Sequence, residues 1–426
     1  MPIQPETCRG LLQLILQQDH RTPTSKSLLK DLKEDDWVIL TREAIRSRLA
    51  HPFRRFLLSD PEFASEALPT VCLNRLDRAL RKTLMANLKQ QAVFKKIAGA
   101  CEAQGIDFML VKGLWLTETI YRDLTARRSS DIDLILKPED MPRFTAMVAG
   151  MGFDIPPGAT DIRDIALGTK EYAITEPKTG AYIDVHWGLV DSSEQLAVGE
   201  ETFWALAEEN MIAGRCCRSL CLEDQLLYLA FHAAILHRFI YVGPRAFVDI
   251  AQMIRTPYRA MDWEFLVRRA DELGWSRSVW LVLDLASTHF SATVPPEVLK
   301  RLEPSDVVTG HTKSLDTIKQ AALFNVWENQ NSKDSWALTF WMRILSHKSG
   351  SKRIAFVFRS LFPSRTYLQG YFKYNLPRAG LQTQRMKRLR LMVDEKKGAL
   401  QRFLSLAIRQ RKELKGVIAL TQWLNP

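Results

Sequence analysis

Two aspartates, Asp131 and Asp133, open a stretch that is otherwise apolar, DIDLIL at residues 131–136. Successive side chains alternate between the faces of a β-strand, so these two carboxylates would share one face. There they repel each other, and burying either one alone is costly. A divalent cation between them removes this cost, and hard oxygen ligands select Mg²⁺ or Mn²⁺. The alternative is a solvated strand end that carries two surface aspartates.

A third carboxylate, Asp184, lies in the segment AYIDVHW, which has the alternation of another strand. Tyr182, Asp184 and His186 fall on one face of that strand. If the two strands are neighbours, Asp184 completes a site for two metal ions, which hold the attacking and leaving oxygens of a displacement reaction. His186 either supports such a ligand by a hydrogen bond or is a structural histidine.

Lys112 and Gly113 follow the short apolar strand IDFMLV and precede a helix. A glycine at this place lets a phosphate approach the backbone, and the start of a helix offers free N–H groups to an anion. Lys112, Arg127 and Arg128 would add positive charge near the same turn. The segment therefore predicts a phosphate-binding turn beside the paired aspartates.

Three other groups of residues are weaker candidates. His232 and His237 are five residues apart, about 140° around an α-helix, so they are not expected to share a face or to bind zinc together. The cysteines of CCRSLC, at 216–221, lack the spacing of a zinc site. Asp249 sits among apolar residues, where a hydrogen bond to another helix is the expected role and a contact to substrate is the alternative.

Four regions follow one another along the chain. Apolar residues at intervals of three and four predict a helical region over residues 1–105, ending at Gly105. Residues 106–195 alternate short strands with helices and close with a hairpin. Helical periodicity returns over 196–300, and 301–426 reads as a basic, mostly helical extension. The sequence therefore predicts an α+β protein, whose small α/β domain with a mixed sheet is flanked by helical N- and C-terminal regions.

The overall composition is that of a folded, soluble protein. The 426 residues are 46% hydrophobic and 25% charged, enough for two or three domains. No segment approaches the roughly 18 apolar residues of a membrane span, and the N-terminus lacks the basic and small-residue features of a signal peptide. Six cysteines in this length suggest no disulfide framework. We therefore expect a cytoplasmic protein.

Positive charge is concentrated at the C-terminal end. The net charge is +11, and residues 341–426 hold 19 lysines and arginines against 3 acidic residues. The amphipathic stretch from about 381 to 424 is interpreted first as a solvated helix that packs on the domain. Association with a membrane surface and contact with RNA, DNA or another polyanion are the alternatives.

The order of these segments resembles the polymerase-beta-type nucleotidyltransferase superfamily. More narrowly, it is similar to a bacterial family of uncharacterised nucleotidyltransferases. The matching segments are VKG at 111–113, Tyr121, Arg128, DIDLIL at 131–136, IDVHW at 183–187, LLYLAFH at 226–232 and VDIA at 248–251. The resemblance implies a metal-dependent transfer of a nucleoside monophosphate from an NTP to an acceptor, with release of pyrophosphate.

The resemblance also implies roles for particular residues. Asp131 and Asp133 would bridge two Mg²⁺ ions, and Asp184 would hold the ion on the acceptor side. Lys112, Gly113 and Arg128 would contact the nucleotide's phosphates. The superfamily turn has serine or glycine after its glycine, whereas this chain has Leu114, so a serine contact to phosphate is missing.

Two other functions stay open at the level of sequence. One is a non-catalytic relative that keeps the fold and binds a ligand in the cleft. The other is a nucleic-acid-binding or membrane-peripheral scaffold, led by the basic tail. The sequence identifies neither the NTP nor the acceptor, which could be a small molecule, a peptide or an RNA, and it leaves the oligomeric state open.

Overall fold

The structure is a computed structural model, and it describes most of the chain up to residue 328 and one segment near the C-terminus. The described residues are 3–17, 23–155, 171–189, 199–256, 258–305, 315–328 and 411–424.

The described residues of the N-terminal region form six helices. They are α1 (Pro5–Gln17), α2 (Pro23–Lys30), α3 (Glu34–Arg46), α4 (Ala50–Leu57), α5 (Pro61–Ala67) and α6 (Thr70–Gln104). The longest, α6, starts after Pro69 and stops where Gly105 turns left-handed, with φ 59°. Glycine takes this conformation without steric cost, so the predicted helix stop at Gly105 is confirmed.

A six-stranded mixed sheet follows in the described part of the chain. Its strands are β1 (Phe108–Val111), β2 (Ile132–Leu136), β3 (Glu171–Glu176), β4 (Ala181–His186), β5 (Glu208–Ile212) and β6 (Arg215–Ser219). Their order across the sheet is β3-β4-β2-β1-β6-β5. β2, which carries Asp133 and directly follows Asp131, therefore lies near the middle of the sheet and is hydrogen-bonded to a strand on each side.

The two neighbours of β2 run in different directions. β1 pairs with it antiparallel, with Val111 opposite Asp133, and β4 pairs with it parallel, with Asp184 opposite Asp133. The C-terminal end of β1 and the N-terminal ends of β2 and β4 thus meet at one edge of the sheet. This arrangement collects the turn after β1 and the acidic positions of both other strands at one place.

Helices connect the strands and continue after them. The short α7 (Gly113–Trp115) runs into a π-helical turn (Leu116–Tyr121), a 3-10 turn (Pro138–Asp140) leads into α8 (Met141–Gly150), and α9 (Glu201–Ala205) precedes β5. The later elements are α10 (Leu222–Phe231), a π-helical turn (His232–Leu236), α11 (Arg245–Ile254), α12 (Trp263–Glu272), α13 (Ser276–Phe290), α14 (Pro296–Leu302), α15 (Leu315–Glu328) and α16 (Arg411–Leu424).

The N-terminal helices and the later helices share one hydrophobic core. All of β2 is buried, and so are apolar residues of α1, α3, α6, α10 and α13. At the end of α13, His289 Nδ1 lies 2.8 Å from Gln13 Nε2 of α1. Phe290 of α13 stacks on Phe247 of α11, with ring centroids 4.8 Å apart. The first helix therefore packs against helices that follow the sheet, although contacting residues are 271 and 272 positions apart in sequence.

The predicted fold class is confirmed, including the mixed sheet and the flanking helical regions. Two strands were not predicted: β5 and β6 form a hairpin inside the range interpreted as helical. Their residues, EENMI and RCCRS, are largely polar and alternate only weakly between buried and exposed positions. Of the two, β5 is the edge strand of the sheet. Antiparallel strands with one face open to water carry little apolar signal.

Most of the basic C-terminal extension lies outside the described residues. Of the helix expected from about 381 to 424, the structure describes Arg411–Leu424, which is helical. Trp423 on this helix lies beside Trp280 of α13, with ring centroids 6.1 Å apart. Within the described segments, no helix combines the length and the apolar composition that crossing a bilayer requires.

Disruption of a buried ion pair should test how α12 is held against α10. Arg269 Nε lies 3.1 Å from Asp224 Oδ1, and both side chains are almost fully buried. Burial raises the pKa of Asp224 despite the attraction of Arg269. We expect Asp224→Asn to lower the free energy of unfolding by about 3–5 kcal/mol, because it leaves Arg269 charged without its buried carboxylate partner. Urea denaturation of the purified variant measures this.

The matched control is Glu272→Gln, since Glu272 contacts the same arginine at 3.7 Å but is exposed. Its effect should stay below about 1 kcal/mol. Replacing both buried partners, as Asp224→Leu with Arg269→Met, should recover most of the lost stability. If Asp224→Asn and Glu272→Gln lower the free energy of unfolding equally, the buried ion pair contributes no more to stability than the exposed one.

Candidate functional site

Three predicted side chains come together at the sheet edge. The in-register pairing of β2 and β4 places Asp133 beside Asp184, and His186 follows two residues later on the same face. One ligand atom from each of the three lies within 4.8 Å of the others. Asp133 and His186 are buried, whereas Asp184 is half-buried. We call these three residues the carboxylate–histidine cluster.

Lys112 is the positive partner of this cluster. Its Nζ donates to Asp133 Oδ1 at 2.9 Å and lies 5.2 Å from the ring centroid of Tyr228. The backbone of Lys112 has φ 55° and ψ −119°, a conformation that non-glycine residues rarely adopt. The turn after β1 therefore holds a strained backbone and directs a lysine inward, where the sequence analysis expected it to contact a phosphate.

The ion pair between Lys112 and Asp133 shifts the pKa values of both groups. Burial alone would raise the pKa of Asp133, but the Lys112 charge and a hydrogen bond from His186 outweigh it and lower the pKa to about 2. Burial alone would lower the pKa of Lys112, yet the attraction of Asp133 holds it above its usual value. The two groups are therefore a carboxylate and an ammonium at neutral pH.

Asp131 stands apart from the cluster. It precedes β2, is half-buried, and accepts a hydrogen bond from Ser130 Oγ at 3.1 Å. Burial raises its pKa, and repulsion from Asp133 adds to this effect. Its negative charge is thus poorly compensated, unlike that of Asp133, and a cation placed near Asp131 would stabilise it.

The donor set of the cluster fits a divalent cation. Asp133 and Asp184 offer the carboxylate oxygens that suit Mg²⁺ and Mn²⁺, and His186 adds a nitrogen of the kind transition metals accept. Lys112 competes with such an ion for the Asp133 oxygen that it already contacts. The structure therefore places His186 with Asp133 and Asp184 as a residue that could hold a metal ion. The sequence carried a signal for it, the two-residue spacing from Asp184.

Gly113 is constrained by protein atoms. A Cβ built on this glycine would lie 2.4 Å from Ser129 Oγ and 3.5 Å from the Asp131 carbonyl oxygen. Ser129 Oγ is itself fixed by donating to that carbonyl at 2.8 Å. The close approach that requires glycine here is thus between the turn and the segment leading into β2, a reason that the sequence analysis did not foresee.

Arg127 belongs to a buried network. Its Nε lies 3.0 Å from both carboxylate oxygens of Asp249, and its Nη1 donates to the Gly113 carbonyl at 3.0 Å. The Tyr121 hydroxyl donates to Asp249 at 2.7 Å. Asp249 therefore makes the inter-element bonds expected of it, and Arg127 positions the turn from behind. Its charge is paired with Asp249, and the expected contribution of Arg127 to phosphate binding stays a prediction.

Arg128 points the other way, towards solvent. It lines a surface groove of about 490 Å³ between α6, the segment before Asp131 and the β3–β4 turn. The other basic side chains of this groove are Arg78, Arg81, Lys82 and Lys89. No carboxylate is among the described residues that line it. We call it the α6 groove, and it is a cationic surface directly beside Asp131.

His232 and His237 lie closer together than predicted. Their Nε2 atoms are 3.1 Å apart. The expectation that they face apart assumed an α-helix, but residues His232–Leu236 form a π-helical turn, which brings residues five apart onto one side. Burial lowers the pKa of His232 well below its usual value, and the nearby Lys112 charge adds to this. His232 is therefore neutral.

Substitution of Gly113 tests whether contact with Ser129 is the reason that this turn requires glycine. We expect Gly113→Ala to lower the free energy of unfolding by roughly 1–3 kcal/mol, because the new methyl group overlaps Ser129 Oγ. In a Ser129→Ala background the same substitution should cost nothing or stabilise slightly, since alanine restricts the unfolded chain. Urea unfolding of the four proteins gives the coupling between the two sites.

The Ser129→Ala single variant is the reference for the double variant. It already loses the hydrogen bond from the Ser129 hydroxyl, which costs about 1 kcal/mol. A Gly113→Ala penalty of equal size in both backgrounds would mean that some contact other than Ser129 requires the glycine.

Comparison with known proteins agrees with this geometry. A search of curated proteins and a search of solved structures found no match. A protein family described as uncharacterised nucleotidyltransferase matches residues 33–291, more than half of the chain. This range contains the sheet, the carboxylate–histidine cluster, the Lys112 turn and the Arg127–Asp249 pair. The chain therefore belongs to the family of uncharacterised nucleotidyltransferases.

Proposed function

We propose that the protein transfers a nucleoside monophosphate from an NTP to a hydroxyl-bearing acceptor. The observation that carries this proposal is the pairing of Asp133 with Asp184 on adjacent parallel strands, with His186 beside them and a strand-to-helix turn at the same sheet edge. This is the arrangement expected of a site that binds divalent cations and polyphosphate together.

Asp133, Asp184 and His186 would hold one divalent ion, and Asp131 would face a second. Bound ions of this kind neutralise phosphate charge and stabilise the attacking and leaving oxygens of an in-line displacement. Mg²⁺ or Mn²⁺ suits the carboxylates. The raised pKa of Asp131 supports its proposed role beside the second ion. An adjacent cation would offset the effects of burial and of repulsion from Asp133 on this carboxylate.

The chain's own residues would do the rest by positioning and charge. The acceptor oxygen bonds to the α-phosphorus, the bond to the β-phosphate bridging oxygen breaks, and pyrophosphate leaves with that electron pair. Asp184, the most accessible member of the cluster, would receive the hydroxyl proton. Arg128 and the other cations of the α6 groove lie beside Asp131, where they would attract the phosphates.

A non-catalytic binding protein is the second candidate. The observation that favours it is the Lys112 ammonium, which already occupies one oxygen of Asp133. The turn also packs Gly113 against Ser129 and the Asp131 carbonyl. If the Lys112 ammonium stays on Asp133 when nucleotide binds, the cluster would hold one divalent ion fewer than a two-ion mechanism requires.

The variant Asp184→Asn should separate binding from chemistry. We expect it to bind NTP with nearly unchanged affinity, because Asp131 and Asp133 remain. The rate of transfer should fall roughly 100-fold or more, since the acceptor hydroxyl loses its base and its anchor in the transition state. Calorimetry with a non-hydrolysable NTP gives the affinity, and incubation of each α-labelled NTP with a cell extract gives the transfer.

Asp107→Asn is the matched control, because Asp107 is an exposed aspartate just before β1. It should change neither quantity. A parallel loss of affinity and rate in Asp184→Asn would make Asp184 a general ligand. If the wild-type protein binds Mg²⁺-NTP yet transfers no label to any component of the extract, the binding protein is the correct description.

A further inference from the structure

A second cationic site lies on the other side of the Arg127–Asp249 pair. It is a cavity of about 350 Å³ between α1, α4, α11, the end of α13 and the segment that follows Tyr121. Its polar lining includes Arg48, His51, Arg55, Arg245 and Arg255. We call it the arginine pocket. None of the residues of the carboxylate–histidine cluster lines it.

The described lining contains one carboxylate, and that carboxylate is already engaged. Asp123 Oδ1 accepts bonds from the backbone N–H and the hydroxyl of Thr125, at 2.8 and 2.7 Å. Its other oxygen lies 3.4 Å from His51 Nε2. Asp249, behind the pocket wall, is bonded to Arg127 and Tyr121. Four guanidinium groups therefore share a pocket with little negative charge of its own.

This excess charge acts most strongly on Arg245. Burial and repulsion from Arg127 and Arg48 lower the pKa of Arg245 to about 9, although Asp249 opposes the shift. Its Nη1 donates to the Arg128 carbonyl, while its Nε has no hydrogen-bond partner in the described structure. The pKa of Arg48 is lowered too, but that side chain is exposed, so water weakens the effect. Arg245 is thus the side chain that gains most from an anion.

The remaining walls of the pocket are apolar. Ile15, Phe56, Val248 and Phe290 line it together with the charged groups. A volume of this size accommodates more than a bare inorganic ion, since small-molecule sites start at about 300 Å³. The walls therefore suit an organic group joined to an anion.

We propose that the arginine pocket binds a small organic molecule that carries a phosphate-class dianion. Guanidinium groups pair with phosphate oxygens through two parallel hydrogen bonds, and a dianion matches the excess of positive charge better than a carboxylate does. The apolar walls contact the organic part. Two sources share this chemistry: a phosphorylated small molecule distinct from the nucleotide, or the phosphates of the nucleotide itself.

Calorimetry of the full-length protein with phenyl phosphate tests the proposal. EDTA is present, so that metal held by the carboxylates cannot bind the probe. We expect saturable binding to the wild type, and weaker binding of benzoate, which has one negative charge. Arg245→Gln and Arg48→Gln should each weaken phenyl phosphate binding by roughly 10-fold or more, because each removes a charge-assisted contact.

Two further variants serve as controls. Arg268→Gln removes one charge from an exposed arginine outside the pocket and should leave binding unchanged. Asp184→Asn removes the half-buried carboxylate of the carboxylate–histidine cluster and should also leave phenyl phosphate binding unchanged, so this result does not depend on the proposed transfer reaction. Arg245→Gln should melt no lower than the wild type. Arg48→Gln, at an exposed position, covers the case in which Arg245→Gln does not fold.

Competition by metal-free ATP distinguishes the two sources. Displacement of phenyl phosphate assigns the pocket to nucleotide phosphates, and no displacement assigns it to a separate phosphorylated molecule. The proposal is overturned if the wild type does not bind phenyl phosphate, or if binding is unchanged in both Arg48→Gln and Arg245→Gln. It is also overturned if Arg81→Gln, in the α6 groove, abolishes binding while the pocket variants do not.

Discussion

The arrangement of the site depends on the buried ion pair between Arg127 and Asp249. Through it, α11 holds the segment that leads into β2, and the same guanidinium donates to the carbonyl of Gly113 in the turn after β1. A buried pair of this kind gives little net stability, because desolvation offsets the attraction. Its importance is geometric, since it fixes the segment before Asp131 and the turn that carries Lys112 against each other.

A second constraint is electrostatic. Lys112 makes the acidic cluster tolerable in a buried position, since an uncompensated carboxylate there would be strongly disfavoured. The protein can therefore fold around Asp133 before any metal binds. Asp131 has no such partner of comparable strength, and the strain at Lys112 remains in the folded state. Features that lower stability are thus concentrated at the sheet edge where the chemistry is proposed.

Much of this arrangement could be predicted from sequence, because it depends on local periodicity. Alternation placed Asp133, Asp184 and His186 correctly on their strands, and Gly105 marked the end of α6. Contacts made across the fold could not be read in this way. Nothing local to Gly113 shows that Ser129 lies against it, nor that Arg127, rather than Arg128, pairs with Asp249. The arginine pocket joins residues about 200 positions apart, so no short motif marks it.

The parallel register of β2 and β4 has a consequence for how such chains can diverge. Side chains alternate in a strand, so a shift of one residue would place Ile183 or Val185 opposite Asp133. Gain or loss of a single residue inside either strand would thus separate the two acids, however well the new sequence fits the core. The turn at residues 177–180 lies outside this pairing. Length variation among relatives should therefore be confined to such connections, with both strands inherited as fixed-length units.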